Sequence, residues 1–134
     1  MTYEAMGEFN YNTGGQTKSL RGGYCGVRAL AICASMDWDA AAKHIKQFTL
    51  RGKAGSRSLS RGVFKADYEA ALKALGFRWH AAPKFDGRKA RCHDLTGNVI
   101  ARQAGHYVAV IDGIAHDIWD CTDRMVYGYW QQEA

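Results

Sequence analysis

The chain has 134 residues, a formal net charge of +5, 47% hydrophobic residues and one proline. This length supports one hydrophobic core and is too short for two, so we predict a single domain over residues 1–134. No window approaches the roughly 18 to 20 continuous apolar residues that a transmembrane helix needs, and the N-terminus does not have the pattern of a signal peptide. The sequence therefore predicts a soluble, cytoplasmic protein.

The four cysteines, at positions 25, 33, 92 and 121, match no compact disulfide framework, so we predict reduced thiols. Cys92 and His93, together with His116 and Cys121, are residue types that bind zinc. However, no CxxC or HxxxH pair anchors them as metal ligands. We therefore expect no metal site.

In chain order, residues 1–21 are predicted as an N-terminal arm or loop, with a short strand or extended segment within residues 7–18. Regular structure begins at Cys25. From Val27 to Met36 almost every residue is apolar, without a clear amphipathic stripe. This pattern predicts a central helix that is buried on nearly all sides.

Two further helices are predicted before the main sheet. Asp37 is a suitable N-cap for a helix in which apolar side chains recur at helical spacing up to Phe48. A third amphipathic pattern over residues 66–75 ends at Gly76, a residue typical of helix C-termini. Together these segments form a helical part over residues 25–76.

The sheet part is predicted over residues 77–134. Four apolar or aromatic segments have strand character: residues 77–82, 97–102, the hairpin 106–120 and residues 125–130. Helices that precede antiparallel strands, with the leading helix buried, indicate an α+β fold in which that helix packs on an antiparallel sheet.

Cys25 is the candidate nucleophile. It lies at the start of the buried helix within the segment RGGYCG, where the unpaired amides and the dipole of the first helical turn favour a thiolate. Gly22, Gly23 and Gly26 allow a substrate backbone to approach the sulfur. A lone cysteine on an apolar helix is more often a core residue, as we predict for Cys33.

His106 opens the clearest hairpin, which has a strong aspartate-glycine turn signal at positions 112 and 113. The turn brings the end of the returning strand beside His106. Strand alternation then places Asp117 and Trp119 on one face and Asp120 on the other. We predict that Asp117, in preference to Asp120, orients the imidazole, although a bulge would reverse this choice. Trp119 would shield the imidazole and carboxylate from water.

This order of Cys25, a Gly-His pair at positions 105 and 106, and the sequence DIW at 117–119 resembles the papain-like cysteine peptidases. The chain is short, so it is most similar to minimal members: bacteriocin-leader peptidase domains, cell-wall endopeptidases and small phage-encoded peptidase-like proteins. The resemblance implies that Cys25 is the nucleophile, His106 the base and Asp117 the orienting group. It also implies a thioester intermediate and no metal or organic cofactor.

In papain-like enzymes a glutamine before the cysteine usually helps to bind the oxyanion. Gln16 is the candidate here, with Gln103 as a weaker substitute. The implied substrate is a peptide or isopeptide bond in a peptide or protein. The same triad also serves acyl transfer, deamidation and transglutamination, and sequence alone does not separate these reactions.

A second, non-catalytic hypothesis is based on the uneven distribution of charge along the chain. Residues 51–91 contain eleven lysines and arginines but three acidic residues. Such a region can bind nucleic acid or an acidic partner protein on a papain-like scaffold, although a solvated surface is the simpler interpretation. The residues predicted to make these contacts are Arg57, Arg61, Lys84, Arg88 and Lys89.

Overall fold

The computed structural model describes residues 8–16, 24–49 and 63–133. Within these ranges the chain has an α+β fold, which confirms the predicted class. Its helices are α1 (Cys25–Cys33), α2 (Trp38–Lys46) and α3 (Lys65–Ala74). Its strands are β1 (Glu8–Tyr11), β2 (Phe77–Ala81), β3 (Asn98–Gln103), β4 (His106–Ile111), β5 (Ile114–Asp117) and β6 (Gly128–Gln132). In these ranges no helix combines the length and apolar character needed to cross a membrane.

The six strands form one sheet in the order β1-β5-β4-β3-β6-β2. Four of the strand pairs are antiparallel, but β1 pairs with β5 in parallel, so the sheet is mixed and the prediction of an antiparallel sheet was wrong in this respect. Three helices and three strands separate β1 from β5, which gives the chain ample length for a parallel pairing. The predicted N-terminal arm therefore contributes an edge strand.

Helix α1 is the centre of the fold. It packs against β3, β4 and β5, and its apolar side chains Val27, Ala29 and Leu30 are at most 1% exposed. Burial on nearly all sides explains why the sequence shows no amphipathic stripe there. At the C-terminal end of the helix, Asn98 Nδ2 donates a hydrogen bond of 2.8 Å to the backbone oxygen of Cys33.

The N-terminal end of α1 is held by Tyr68 from α3. The fully buried Tyr68 hydroxyl donates a 2.8 Å hydrogen bond to the backbone oxygen of Gly26. A Cβ atom at position 26 would lie 2.7 Å from Cε1 of this ring. The absence of a side chain at Gly26 is therefore required by helix packing, in addition to the substrate access predicted from the sequence.

The opposite face of the sheet is covered by loops. Cys92 and Leu95, from a 3₁₀ helix over Cys92–Asp94 and the residue after it, pack with Cys121 and Val126 from the segment before β6. These side chains meet the strand residues Val99, Val108 and Val110. The sheet is thus buried on both faces.

The hairpin of β4 and β5 has the two-residue turn that the sequence predicted. Asp112 and Gly113 both have positive φ, at 50° and 86°, as a type I′ turn requires. Ile111 pairs with Ile114 on either side of the turn. The Asp112 carboxylate also accepts a 3.1 Å hydrogen bond from the Gly97 N–H. The turn therefore fixes the register between the strands that carry His106 and Asp117.

We predict that Gly113→Ala destabilises this hairpin. An alanine would have to adopt a left-handed φ, and its Cβ would lie 3.3 Å from the backbone oxygen of His93. The expected loss is about 1–2 kcal/mol in the free energy of unfolding, measured by urea denaturation.

Asp112→Asn is the matched control, because asparagine tolerates positive φ and keeps an acceptor oxygen. It should change the free energy of unfolding by less than about 0.5 kcal/mol. Equal stability of the Gly113 and Asp112 variants would contradict this account of the turn.

Candidate active site

Three side chains from separate elements meet at one end of the sheet. Cys25 is the first residue of α1, His106 the first residue of β4 and Asp117 the last residue of β5. Cys25 is half-buried, whereas His106 and Asp117 are 7% and 1% exposed. The fold therefore brings together the three residues that the sequence analysis proposed as a triad.

The imidazole and carboxylate are joined by a short hydrogen bond. His106 Nε2 lies 2.6 Å from Asp117 Oδ2, and both groups are buried. The other carboxylate oxygen, Oδ1, accepts a 2.7 Å hydrogen bond from the Ile118 N–H. Asp120 instead accepts hydrogen bonds from the amide and hydroxyl of Thr122. The carboxylate beside His106 is thus that of Asp117.

The thiol of Cys25 lies in surroundings that favour its ionised form. Burial by itself opposes ionisation, but the contact with the His106 imidazole, the Tyr107 N–H and the positive charge of Arg28 together lower the pKa of Cys25 below its ordinary value. A thiolate is the nucleophilic form of cysteine. The site therefore favours the thiolate of Cys25 more than an ordinary thiol environment does.

The pKa of His106 moves in the opposite direction. Burial would lower it, but hydrogen bonds with Asp117, Cys121 and Cys25 outweigh burial and raise the pKa of His106 to about 11. Because Nε2 faces Asp117, the second ring nitrogen, Nδ1, is the atom available to the thiol. A lowered thiol pKa and a raised imidazole pKa favour a thiolate-imidazolium pair.

Two other cysteines show the contrasting behaviour of buried thiols. Burial raises the pKa of Cys33 to about 12. Contact with Cys92 and burial raise the pKa of Cys121, although its sulfur lies 3.8 Å from Asp117 Oδ2. Sequence analysis missed this contact, because Cys121 lies beyond β5, where neither strand alternation nor motif spacing defines its position.

His106, Asp117 and Cys121 are also the described residues that come closest to a metal site. Their potential ligand atoms all lie within 4.8 Å of one another. Zinc bonds of about 2.0–2.3 Å in tetrahedral geometry separate the ligand atoms by more than 3 Å. The 2.6 Å contact between His106 and Asp117 is therefore a hydrogen bond, which would have to open to admit an ion.

A pocket of about 570 Å³ opens beside the thiol and the imidazole. Tyr68, Tyr107 and Tyr127 contribute aromatic surface, and Lys65 and Arg102 contribute positive charge. At the edge of the site, the ring of Trp119 lies 4.8 Å from that of His106. The pocket thus lies beside both Cys25 and His106.

The two glutamines considered for oxyanion binding have other contacts. Gln16 is buried, and its Oε1 accepts a 3.0 Å hydrogen bond from Arg28 Nη2. Gln103 lines the pocket, but its Nε2 donates to the backbone oxygens of Cys121 and Arg124 at 3.0 and 3.4 Å. An oxyanion role for Gln16 stays a prediction.

Arg28 was missed by the sequence analysis. Its side chain is buried, and Nη1 lies 3.3 Å from Asp117 Oδ1. The available signal was a single charged residue within an apolar helix, one turn after Cys25. A charge at such a position is costly to bury, so it indicates a buried partner.

Part of the predicted basic surface, including Arg57 and Arg61, lies outside the described residues, as do Gly22 and Gly23. Lys84 and Lys89 are exposed. Arg88 is held by the Asp94 carboxylate through contacts of 2.7 and 2.9 Å. Its charge is thus already paired within the chain.

Comparison with protein-family models, curated proteins and solved structures finds no match to this chain. We therefore infer its chemistry from the geometry of Cys25, His106 and Asp117.

We predict that Cys25 reacts with iodoacetamide at a lower pH than an ordinary thiol. The pH profile of its alkylation, followed by peptide mass spectrometry, should have a midpoint below that of Cys25 in the urea-unfolded chain, because the folded structure lowers its pKa. The rate should fall as the thiolate protonates at lower pH. Identical folded and unfolded profiles would contradict the described electrostatics.

Proposed function

We propose that this protein is a thiol-dependent hydrolase that acts on a peptide or isopeptide bond through a thioester. The observation that carries the proposal is the continuous contact from the Cys25 thiol through the His106 imidazole to the Asp117 carboxylate. A nucleophile, a base and a group that orients the base in this arrangement support covalent acyl chemistry.

In the first step, the Cys25 thiolate attacks the carbonyl carbon of the substrate. A carbon-sulfur bond forms and the carbonyl oxygen takes up negative charge. As the tetrahedral intermediate collapses, the carbon-nitrogen bond breaks and the His106 imidazolium gives its proton to the departing amine. Asp117 keeps the imidazole oriented throughout, and the enzyme is left as a thioester on Cys25.

In the second step, His106 accepts a proton from water as the water attacks the thioester carbon. The carbon-sulfur bond breaks, the carboxylic acid leaves, and the thiolate-imidazolium pair is restored. An amine in place of water gives acyl transfer, and a primary amide as the first substrate gives deamidation. The acceptor is selected by the pocket beside the two groups.

A papain-like scaffold is part of this proposal. It is supported by a cysteine at the start of a buried helix, α1, that packs on the sheet, and by a histidine and an aspartate on the adjacent strands β4 and β5. The pocket lies at the start of α1, beside Cys25, which is where this scaffold would place its reacting groups.

We expect Cys25→Ala to abolish turnover, and His106→Ala to reduce kcat by about 100-fold or more, because the nucleophile and the base are lost. The assay should offer peptide, isopeptide and glutamine-amide fluorogenic substrates, with intact mass spectrometry to detect an acyl adduct. Hydrolysis or amine transfer is then read from the product.

Cys33→Ala is the matched control, since it removes a buried thiol outside the site, and it should retain turnover. Turnover that survives Cys25→Ala would refute the proposal. So would an alkylation profile of Cys25 that is ordinary in the folded protein, combined with no acyl adduct on any substrate class. A non-catalytic scaffold would then be the better account.

A further inference from the structure

Arg28 is a buried cation within an apolar helix. The residue is 3% exposed, and it lies one helical turn after Cys25. Burying a guanidinium costs several kcal/mol unless it is paired and hydrogen-bonded. Its partners are Asp117 Oδ1, 3.3 Å from Nη1, and Gln16 Oε1, 3.0 Å from Nη2. Both partners are themselves buried.

The two oxygens of the Asp117 carboxylate have different hydrogen-bond partners. Its Oδ2 atom accepts the hydrogen bond from His106, whereas Oδ1 accepts from Arg28 and from the Ile118 N–H. Two donors on one oxygen fix the rotation of the carboxylate about its side-chain bond. The second oxygen is therefore aimed at the imidazole by contacts that do not involve the imidazole.

Gln16 fixes the other end of the guanidinium. Its oxygen accepts from Nη2, so the planar group of Arg28 is held between the N-terminal segment and β5. The chain from Gln16 to Arg28, Asp117 and His106 consists of consecutive hydrogen bonds between buried side chains. A change at Arg28 is thus transmitted to the imidazole through one carboxylate.

Among the thiol and the buried ionic groups of the site, the charges also balance only when Arg28 is present. In the ionised site, Cys25 and Asp117 are negative and His106 is positive, which leaves one negative charge in excess. Arg28 supplies the fourth charge and brings the sum to zero. In a buried site an uncompensated charge disfavours ionisation, so loss of Arg28 should shift the thiol toward its protonated form.

We propose that Arg28 is a positioning residue of this site: its guanidinium aligns Asp117 with His106 and supplies the charge that balances the thiolate and the carboxylate. This inference rests on the proposed thiol chemistry. Arg28 reaches the reacting sulfur only through space and through Asp117, so it has no direct part in bond making or breaking.

Other ionisable groups surround the thiol and bear on a pH measurement. Tyr68 from α3 and Tyr107 from β4 have pKa values raised first of all by burial, and both stay neutral at neutral pH. The pKa of Cys121, beyond His106, is raised as well. Glu69 is paired with Arg102 at 3.3 Å. Lys65, which also lines the pocket, is exposed. The effect of an Arg28 substitution on Cys25 alkylation therefore reports on the contacts that join Arg28, Asp117, His106 and Cys25.

The test is the pH profile of Cys25 alkylation by iodoacetamide in the full-length chain, with Arg28→Met, Arg28→Lys and, as control, Arg78→Met. Arg78 is an exposed arginine, with its side chain 73% exposed. Arg28→Met should slow alkylation at pH 6.5 by about tenfold, which corresponds to about 1.4 kcal/mol in thiolate stability, and should move the profile to higher pH. The alkylation rate of Arg28→Lys should lie between those of Arg28→Met and wild type. The rate and pH profile of Arg78→Met should match those of wild type.

Circular dichroism establishes which variants fold. If Arg28→Met does not fold, Arg28→Lys and Gln16→Met decide the question, because both retain the buried charge but loosen its hold on Asp117, and each should still slow alkylation. Suppose that Cys25 in wild type is alkylated at lower pH than an ordinary thiol and that the folded Arg28 variants have the same pH profile as wild type. This result would overturn the role of Arg28 and leave the proposed function standing. An ordinary profile in wild type would instead overturn the proposed function.

Discussion

The structure depends above all on the buried carboxylate of Asp117. A charge that is 1% exposed requires donors on both oxygens. The nitrogen donors come from three places: Arg28 in α1, His106 in β4 and the amide that follows Asp117 itself, and the Cys121 thiol adds a weaker contact at 3.8 Å. Satisfying this one group therefore joins the central helix to the hairpin. The same contacts hold the imidazole beside the start of α1, where Cys25 lies.

The lowered pKa of Cys25 follows from this arrangement. Burial opposes ionisation of its thiol, and it is His106, the Tyr107 N–H and Arg28 that bring the pKa below the ordinary value. Cys33, in the same helix, lacks such partners, and burial raises its pKa to about 12. Two cysteines eight residues apart in one helix thus differ because the pKa of Cys25 is lowered by contact with His106, whereas burial alone acts on Cys33.

Local sequence patterns were sufficient to predict the three helices and most of the strands. They also predicted that Cys25, His106 and Asp117 would lie close together. The aspartate-glycine turn fixed the hairpin register, and strand alternation then selected Asp117 over Asp120 as the neighbour of His106. The parallel pairing of β1 with β5 and the contact of Arg28 with Asp117 join segments about 90 to 110 residues apart, and no periodicity encodes such contacts. The glycine at position 26 was interpreted as an opening for substrate, whereas the ring of Tyr68 also requires it.

The contacts of the two candidate glutamines also bear on which groups would bind an oxyanion in the proposed mechanism. Gln103 uses its amide nitrogen to hold the loop after β5, and Gln16 uses its oxygen to hold Arg28. In α1 the first intrahelical hydrogen bond comes from the Arg28 N–H to the Tyr24 oxygen, so the amides of the three preceding residues take no part in the helix ladder. These main-chain donors are adjacent to the sulfur and carry the positive end of the helix dipole. In the proposed mechanism, an oxyanion formed at Cys25 would thus lie beside the main-chain amides at the start of α1, and the charge of Arg28 behind them would balance that of Asp117.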